Sequence, residues 1–116
     1  MSRHPASIGV AEVHDCFSIA EVQMYEALGF AAPGKGLELV RDGSVMRQGR
    51  LPVNTGGGLM AFGHPVGATG VKQAVEIHRQ MRGLAGDYQM PKPPTVGIAA
   101  NMGGDDRTAV VTIYRG

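Results

Sequence analysis

The sequence predicts an α/β domain, on three observations. Short apolar runs at 8–13 and 96–100 have the length and composition of strands buried on both faces. Two longer stretches, about 19–28 and about 68–82, carry apolar residues at helical spacing and alternate with those runs. Residues 108–114 (Thr-Ala-Val-Val-Thr-Ile-Tyr) give the strongest strand signal and follow 96–100 closely enough for an antiparallel hairpin. With 116 residues there is room for one domain around a single core.

Taken in order, residues 1–7 read as a flexible N-terminus, with His4 in it, and 8–116 as the domain. After the first strand comes the polar corner His14-Asp15-Cys16-Phe17. Ser18 and Glu21 fit a capping box at the start of a helix, in which Ile19, Val22, Tyr25 and Leu28 form a stripe and Gly29 is the stop. Glycines then punctuate residues 30–50, which read as an exposed excursion with short strands at 37–40 and 44–46. Residues 51–54 look like a strand entering a glycine-rich loop. The second helix carries Val71, Ala74, Val75, His78 and Met81 as one stripe and ends at Gly83. Three prolines mark 88–94 as a surface connection. Residues 101–106 (Asn-Met-Gly-Gly-Asp-Asp) read as a turn, with Asp105 and Asp106 solvated.

The loop from Asn54 to Gly70 is the stretch around which the rest is organised. A turn needs two to five residues, and this loop is far longer, which favours a site over a connector. Its glycines (Gly56, Gly57, Gly58, Gly63, Gly67 and Gly70) allow close approach of backbone to a ligand. His64 sits in the middle and Pro65 stiffens the chain behind it.

Composition excludes several function classes. The net charge is +1 with no basic cluster, and tryptophan is absent, which argues against nucleic-acid binding. No apolar run approaches the roughly 18 residues of a membrane span. The first residues lack the apolar core of a signal peptide, so a cytoplasmic location is expected. The single cysteine, Cys16, rules out an internal disulfide. The histidines and the cysteine match no zinc spacing, so no metal site is expected. Gly63, Gly67 and Gly70 do not fit the G-x-G-x-x-G dinucleotide pattern.

Cys16 precedes a helix N-terminus, where positive partial charge favours a thiolate. A lone cysteine also fits as a small buried hydrophobe. Its company, His14 two residues away and His64 downstream, makes the minimum set for thiolate chemistry as nucleophile or as acid/base. His64 fits a donor to a developing oxyanion, and equally a loop histidine satisfied by backbone. His78 reads as packing, and Asp15 as a residue that orients backbone at the corner.

The same residues resemble a known family. His14-Asp15-Cys16-Phe17, Asn54-Thr55-Gly56-Gly57-Gly58 and Gly63-His64-Pro65-Val66-Gly67-Ala68-Thr69-Gly70 resemble the C-terminal half of a thiolase of the sterol-carrier-protein type, in which HDCF replaces NEAF. Asn101-Met102-Gly103 stands where most thiolases have C-x-G, and the asparagine is also typical of that type. The resemblance runs from about residue 8 to the end. It implies an acyl-CoA C-acyltransferase site, working by Claisen condensation or thiolysis of a 3-ketoacyl-CoA, with the coenzyme A thioester as substrate and no other cofactor.

By position, the resemblance implies that Cys16 moves the α-proton of the second acyl-CoA. It gives His64 and His14 the oxyanion hole for the enolate, and the Gly103 N–H a thioester oxygen. Asn54, Gly57, Gly58, Phe62 and Gly63 are implied as substrate-binding. The attacking cysteine of thiolases lies in an N-terminal half, and Cys16 is the only cysteine here. The family fold has five strands per half in the order 3-2-1-4-5. The chain is expected to hold about four of them, starting at the second, so that the central strand is missing and strands 2 and 4 have open edges. A protein partner or self-association is expected to cover the missing half. The chain then reads as one subunit of a split thiolase, as a fragment, or as a non-catalytic binding or scaffold module. A role as subunit of a thiolase-fold aldolase acting on acyl-CoA is the further alternative.

Overall fold

The computed structural model describes residues 7–104 and 107–116. His4, Asp105 and Asp106, and most of the N-terminal segment expected to be flexible, lie outside them.

Three strands form the sheet: β1 (Val10–Val13), β2 (Val96–Gly103) and β3 (Thr108–Arg115), in the order β1-β2-β3. β1 pairs in parallel with β2, from Val10 against Gly97 to Val13 against Ala100. β2 and β3 form the expected antiparallel hairpin, from Val96 against Arg115 to Gly103 against Thr108. The ladder runs on through Asn101, Met102 and Gly103, so the first half of the predicted turn is strand. On the other side of β1 the predicted strand 51–54 shrinks to one parallel bridge, Ala11 with Val53. Asn54 ends it by turning to a φ of 47°, and its side-chain Oδ1 accepts the next bond, from the Val13 N–H at 2.9 Å.

The sheet is thus incomplete, as expected, but the gap is not where it was expected. β1 is an inner strand, flanked by β2 and by Val53, and no missing strand separates β1 from β2. Burial of all four β1 residues fits that place. The free edge is that of β3, whose Val110, Val111 and Ile113 are exposed.

Two clusters pack on opposite faces of the sheet. One joins Ala11, Val13 and Ile98 to Tyr25, Leu39, Val45, Leu51 and Val53; the other joins Val10 and Ala99 to Ile77 and Met90. Helix α1 (Ser18–Ala27) and helix α2 (Gly36–Arg41) lie on the first face, and α4 (Thr69–Arg82) on the second. Helix α2 replaces the predicted strand 37–40, and the predicted strand 44–46 is absent. The 30–50 segment is no mere excursion either, because Leu39 and Val45 are core residues. Glu26 anchors it by accepting from the N–H groups of Gly34 and Gly36, each at 2.9 Å, which holds its carboxyl below the usual carboxylate range.

The capping box at Ser18 does not form. Phe17 is the N-cap, without a side-chain bond, and Glu21 instead accepts from the Tyr25 hydroxyl at 2.7 Å. Ile19 is exposed; Ala20 and Tyr25 are the buried side of α1. The stop at Gly29 is as expected: it takes a φ of 74°, and Phe30 N–H closes back on Tyr25 C=O at 2.8 Å.

Helix α4 is inverted relative to its sequence pattern. Val71 (66%), Val75 (42%) and His78 face solvent, while Gln73, Glu76, Ile77 and Gln80 are buried against the domain. Directional bonds act beside the packing of Ile77 and, from the predicted stripe, Met81. Gln73 Nε2 donates to Ala100 C=O (3.2 Å), and Gln80 binds Thr55 Oγ1, Tyr88 C=O and the Met90 N–H. The Tyr88 hydroxyl donates to Glu76 at 2.7 Å. Among the described residues no helix is long and apolar enough to cross a membrane.

Candidate active site

Two segments bring the chemistry together. β1 ends at Val13 in the inner position of the sheet, so the corner that follows projects His14, Asp15 and Cys16 from a rigid base. The glycine-rich loop crosses above this corner and delivers His64 just before α4.

Asp15 is the joint between the two. Its buried carboxylate accepts from the Leu59 N–H at 2.7 Å, where helix α3 (Gly58–Phe62) begins inside the loop. Helix α3 was not expected within the glycine stretch. Gly58 starts it at a φ of 62°, and a Cβ there would collide with the Asp15 carboxylate. The anticipated role of Asp15, orienting backbone, is the one seen.

An open cavity of about 860 Å³ is lined by His14, Cys16, His64, Thr69, Asn101 and Gly103, with Phe17, Ile19, Val66, Val71 and Val110 around them. Its lining mixes polar and apolar side chains. The rings of His14 and His64 meet edge to face with centroids 4.7 Å apart. His14 is buried, and its Nδ1 lies 2.5 Å from Asn101 Oδ1. His64 Nδ1 lies 2.6 Å from Thr69 Oγ1. Cys16 is partly exposed and stands two residues before α1. Gly103, at the end of β2, is exposed and has open space where a side chain would be.

The cavity therefore gathers Cys16, His14, His64 and Gly103, and leaves the other five expected residues outside its wall. Asn54 is buried beside β1, and its Nδ2 has no partner among the described residues. Gly57 and Gly58 shape the start of α3; a Cβ on Gly57 would meet Ala61. Phe62 lies against Tyr88, with the Lys72 ammonium 4.2 Å from its ring centre. Gly63 is the turn between α3 and His64, with a φ of 84°. His78 points away on the outer face of α4.

The sequence reading missed two groups. Asn101 and Thr69 each hold a cavity histidine, and their only signal was membership of the loop and of the N-x-G turn. Under α4, Glu12 is buried with Lys72 Nζ at 3.4 Å, and one of its oxygens is unpartnered among the described residues. Burial pushes the Glu12 carboxyl up to about 7, against the pull of Lys72. An acidic residue in an apolar strand run gave no hint of that layer. Among the described residues no three His, Cys, Asp or Glu side chains converge as a metal site.

Comparison with known proteins fits this arrangement. Residues 2–116 match the family described as thiolase C-terminal domain-like. The chain is 46% identical over 110 residues to the acetyl-CoA acetyltransferase of Methanothermobacter thermautotrophicus, covering 95% of this chain and 28% of that protein. It is 45% identical over 111 residues to sterol carrier protein 2 of Oryctolagus cuniculus, covering 96% of this chain and 20% of that one. A solved structure titled Ltp2-ChsH2(DUF35) aldolase superposes with a TM-score of 0.80 at 29% identity, over 97% of this chain and 28% of its own. The chain spans about a quarter of the length of these relatives. With a family match over nearly every residue and a fold that agrees with it, the chain belongs to the thiolase C-terminal domain family.

Proposed function

We propose that this chain supplies the acid/base and oxyanion side of an acyl-CoA C-acyltransferase site. The observation that supports the reading is the convergence of Cys16, His14 and His64 on one cavity from two separate segments. Condensation at a thioester removes an α-proton and leaves charge on the thioester oxygen. Cys16 as thiolate takes that proton and later returns it. His64 holds the oxygen while the charge persists, because an unsupported enolate is too basic to last in water. The Gly103 N–H serves the other thioester.

Cys16 is the only cysteine, so in this reading a nucleophilic cysteine comes from residues outside these 116. They also cover the apolar lining residues Phe17, Ile19 and Val66 and the outer face of α4, which are exposed here. A second reading, an aldol rather than a Claisen reaction on an acyl-CoA, takes its support from the aldolase likeness.

The test is α-proton exchange. The assembled protein containing this chain is incubated with acyl-CoA in deuterated water, and label at the α-carbon is read by mass spectrometry. Cys16→Ala is expected to abolish exchange; unchanged exchange removes Cys16 from the mechanism. Thiolysis and retro-aldol assays on the same preparation separate the two readings.

A further inference from the structure

His64 rides on a stretch, residues 60–68, that is exposed throughout. Within it Gly63 and Gly67 both have a φ of 84° and open space where a side chain would be. With so little packing, the place of His64 depends on how the ends of the stretch are held. The far end is held at Thr69, whose Oγ1 lies 2.6 Å from His64 Nδ1. The near end is held at Phe62, two residues before His64. The resemblance implied Phe62 as substrate-binding, but its ring lies outside the cavity wall. It rests edge to face on Tyr88, with centroids 6.1 Å apart, and against the bare Cα of Gly56, where a Cβ would come within 2.6 Å of it. The Lys72 ammonium lies 4.2 Å from the ring centre, well within the reach of a cation–π contact.

Lys72 joins this loop to two other segments. It stands in the first turn of α4, three residues after Thr69, with its N–H on Ala68 C=O at 2.9 Å. Its ammonium also meets Glu12 Oε2 at 3.4 Å, on β1, two residues before His14. Glu12 is 1% exposed, and an apolar residue in that run would hold the core at least as well as a buried ion pair. What the pair adds is direction: it fixes where a long, flexible side chain ends. We propose that Lys72 is a positioning residue for His64: braced by the Glu12 carboxylate, its ammonium holds the Phe62 ring against α4 and so fixes the span that carries His64. The effect on catalysis rests on the acyltransferase reading above; the placement of His64 does not.

The experiment pairs the exchange assay with NMR of the His64 ring in the assembled protein carrying ring-labelled histidine, above the pH of about 7 at which Glu12 ionises. His64→Gln assigns the signal. Lys72→Met and Phe62→Leu are each expected to shift or broaden it and to lower exchange at least about tenfold, mainly in kcat, since a displaced group costs rate before it costs binding. Lys72→Arg and Phe62→Tyr keep the charge and the ring face and are expected to retain both signal and exchange. The double variant Lys72→Met with Phe62→Leu is expected to be no worse than either single one, because both break one link. Glu12→Leu removes the brace without leaving a buried charge, and Lys72, partly exposed, turns to water. It is expected to keep or gain stability and yet disturb His64 and lower exchange, which a purely structural pair would not do. An unmoved His64 signal in Lys72→Met, Phe62→Leu or Glu12→Leu overturns the proposal, as do additive losses in the double variant or exchange within about twofold of native in the single ones. A moved His64 signal in a protein whose native form shows no exchange would sink the acyltransferase reading and leave the placement standing.

Discussion

The Asp15 carboxylate occupies the space that a side chain on Gly58 would need, and it binds the next N–H, that of Leu59, at 2.7 Å. The corner that carries His14 and Cys16 is thereby fastened to the loop that carries His64. Asp15→Ala should cost about 1.5–3 kcal/mol, the usual loss for a buried hydrogen bond to a charged group. Urea unfolding checks this. Gly58→Ala should cost at least as much, because a non-glycine residue at a φ of 62° is strained and its Cβ meets the carboxylate.

Glu12 should make stability fall as pH rises. Its folded-state carboxyl titrates at about 7, above the ordinary 4.5, so between those values the folded chain holds a proton that the unfolded chain has lost. The stabilisation is complete below about 4.5 and is gone once pH passes about 7. At about 1.4 kcal/mol per pH unit this amounts to roughly 3 kcal/mol. Glu12→Gln should flatten that slope in unfolding curves taken from pH 5 to 8. A parallel slope in native and variant would show that another group is responsible.

Gln80 pins three partners at once and is fully buried. Gln80→Leu should destabilise by about 2–4 kcal/mol, because the Met90 N–H is left buried without an acceptor. Hydrogen exchange at Met90 should rise together with the loss in unfolding free energy.

The outer face of α4 should behave in the opposite way. Val75→Asp touches a half-exposed position, so the chain's own stability should move by less than about 0.5 kcal/mol. In the proposed assembly, association through that face should weaken strongly, since a charge would be buried there without a partner. Thermal melts and a pull-down with the polypeptide of the proposed assembly separate the two effects.

The fold class, the hairpin and the helix stops at Gly29 and Gly83 were legible because they rest on local chemistry: apolar runs, proximity and left-handed glycines. What was missed was competition within a helix and contacts distant in sequence. Glu21 fits a capping box, but Tyr25 competes for it and wins. Residues 37–40 alternate like a strand, yet the chain is pulled inward by Glu26 and at Leu39, and it coils. The glycine loop announced a site, and its four non-glycine residues 59–62 hid a helix whose start Asp15 secures from 44 positions away. Cys16, His14 and His64 could be read as a set from their types. Asn101 could not, because it is 87 residues from His14 and nothing local ties them; Thr69, five residues from His64, was read only as part of the loop.

The reversed orientation of α4 bears on how the chain reaches its folded state. A helix rolled half a turn about its axis would bury Val71 and Val75 against the sheet and turn Gln73 and Gln80 outward. That arrangement would trade the burial of Ile77 for that of Val71 and Val75. The core place of Ile77 and the directional bonds of the two glutamines, which no rolled helix reproduces, tell the two apart. The rolled arrangement is therefore disfavoured by the loss of Ile77 from the core as well as by the loss of those hydrogen bonds. In the proposed assembly, a polypeptide laid over the outer face removes what the rolled arrangement would gain, so refolding with it present should give a higher native yield than refolding without it.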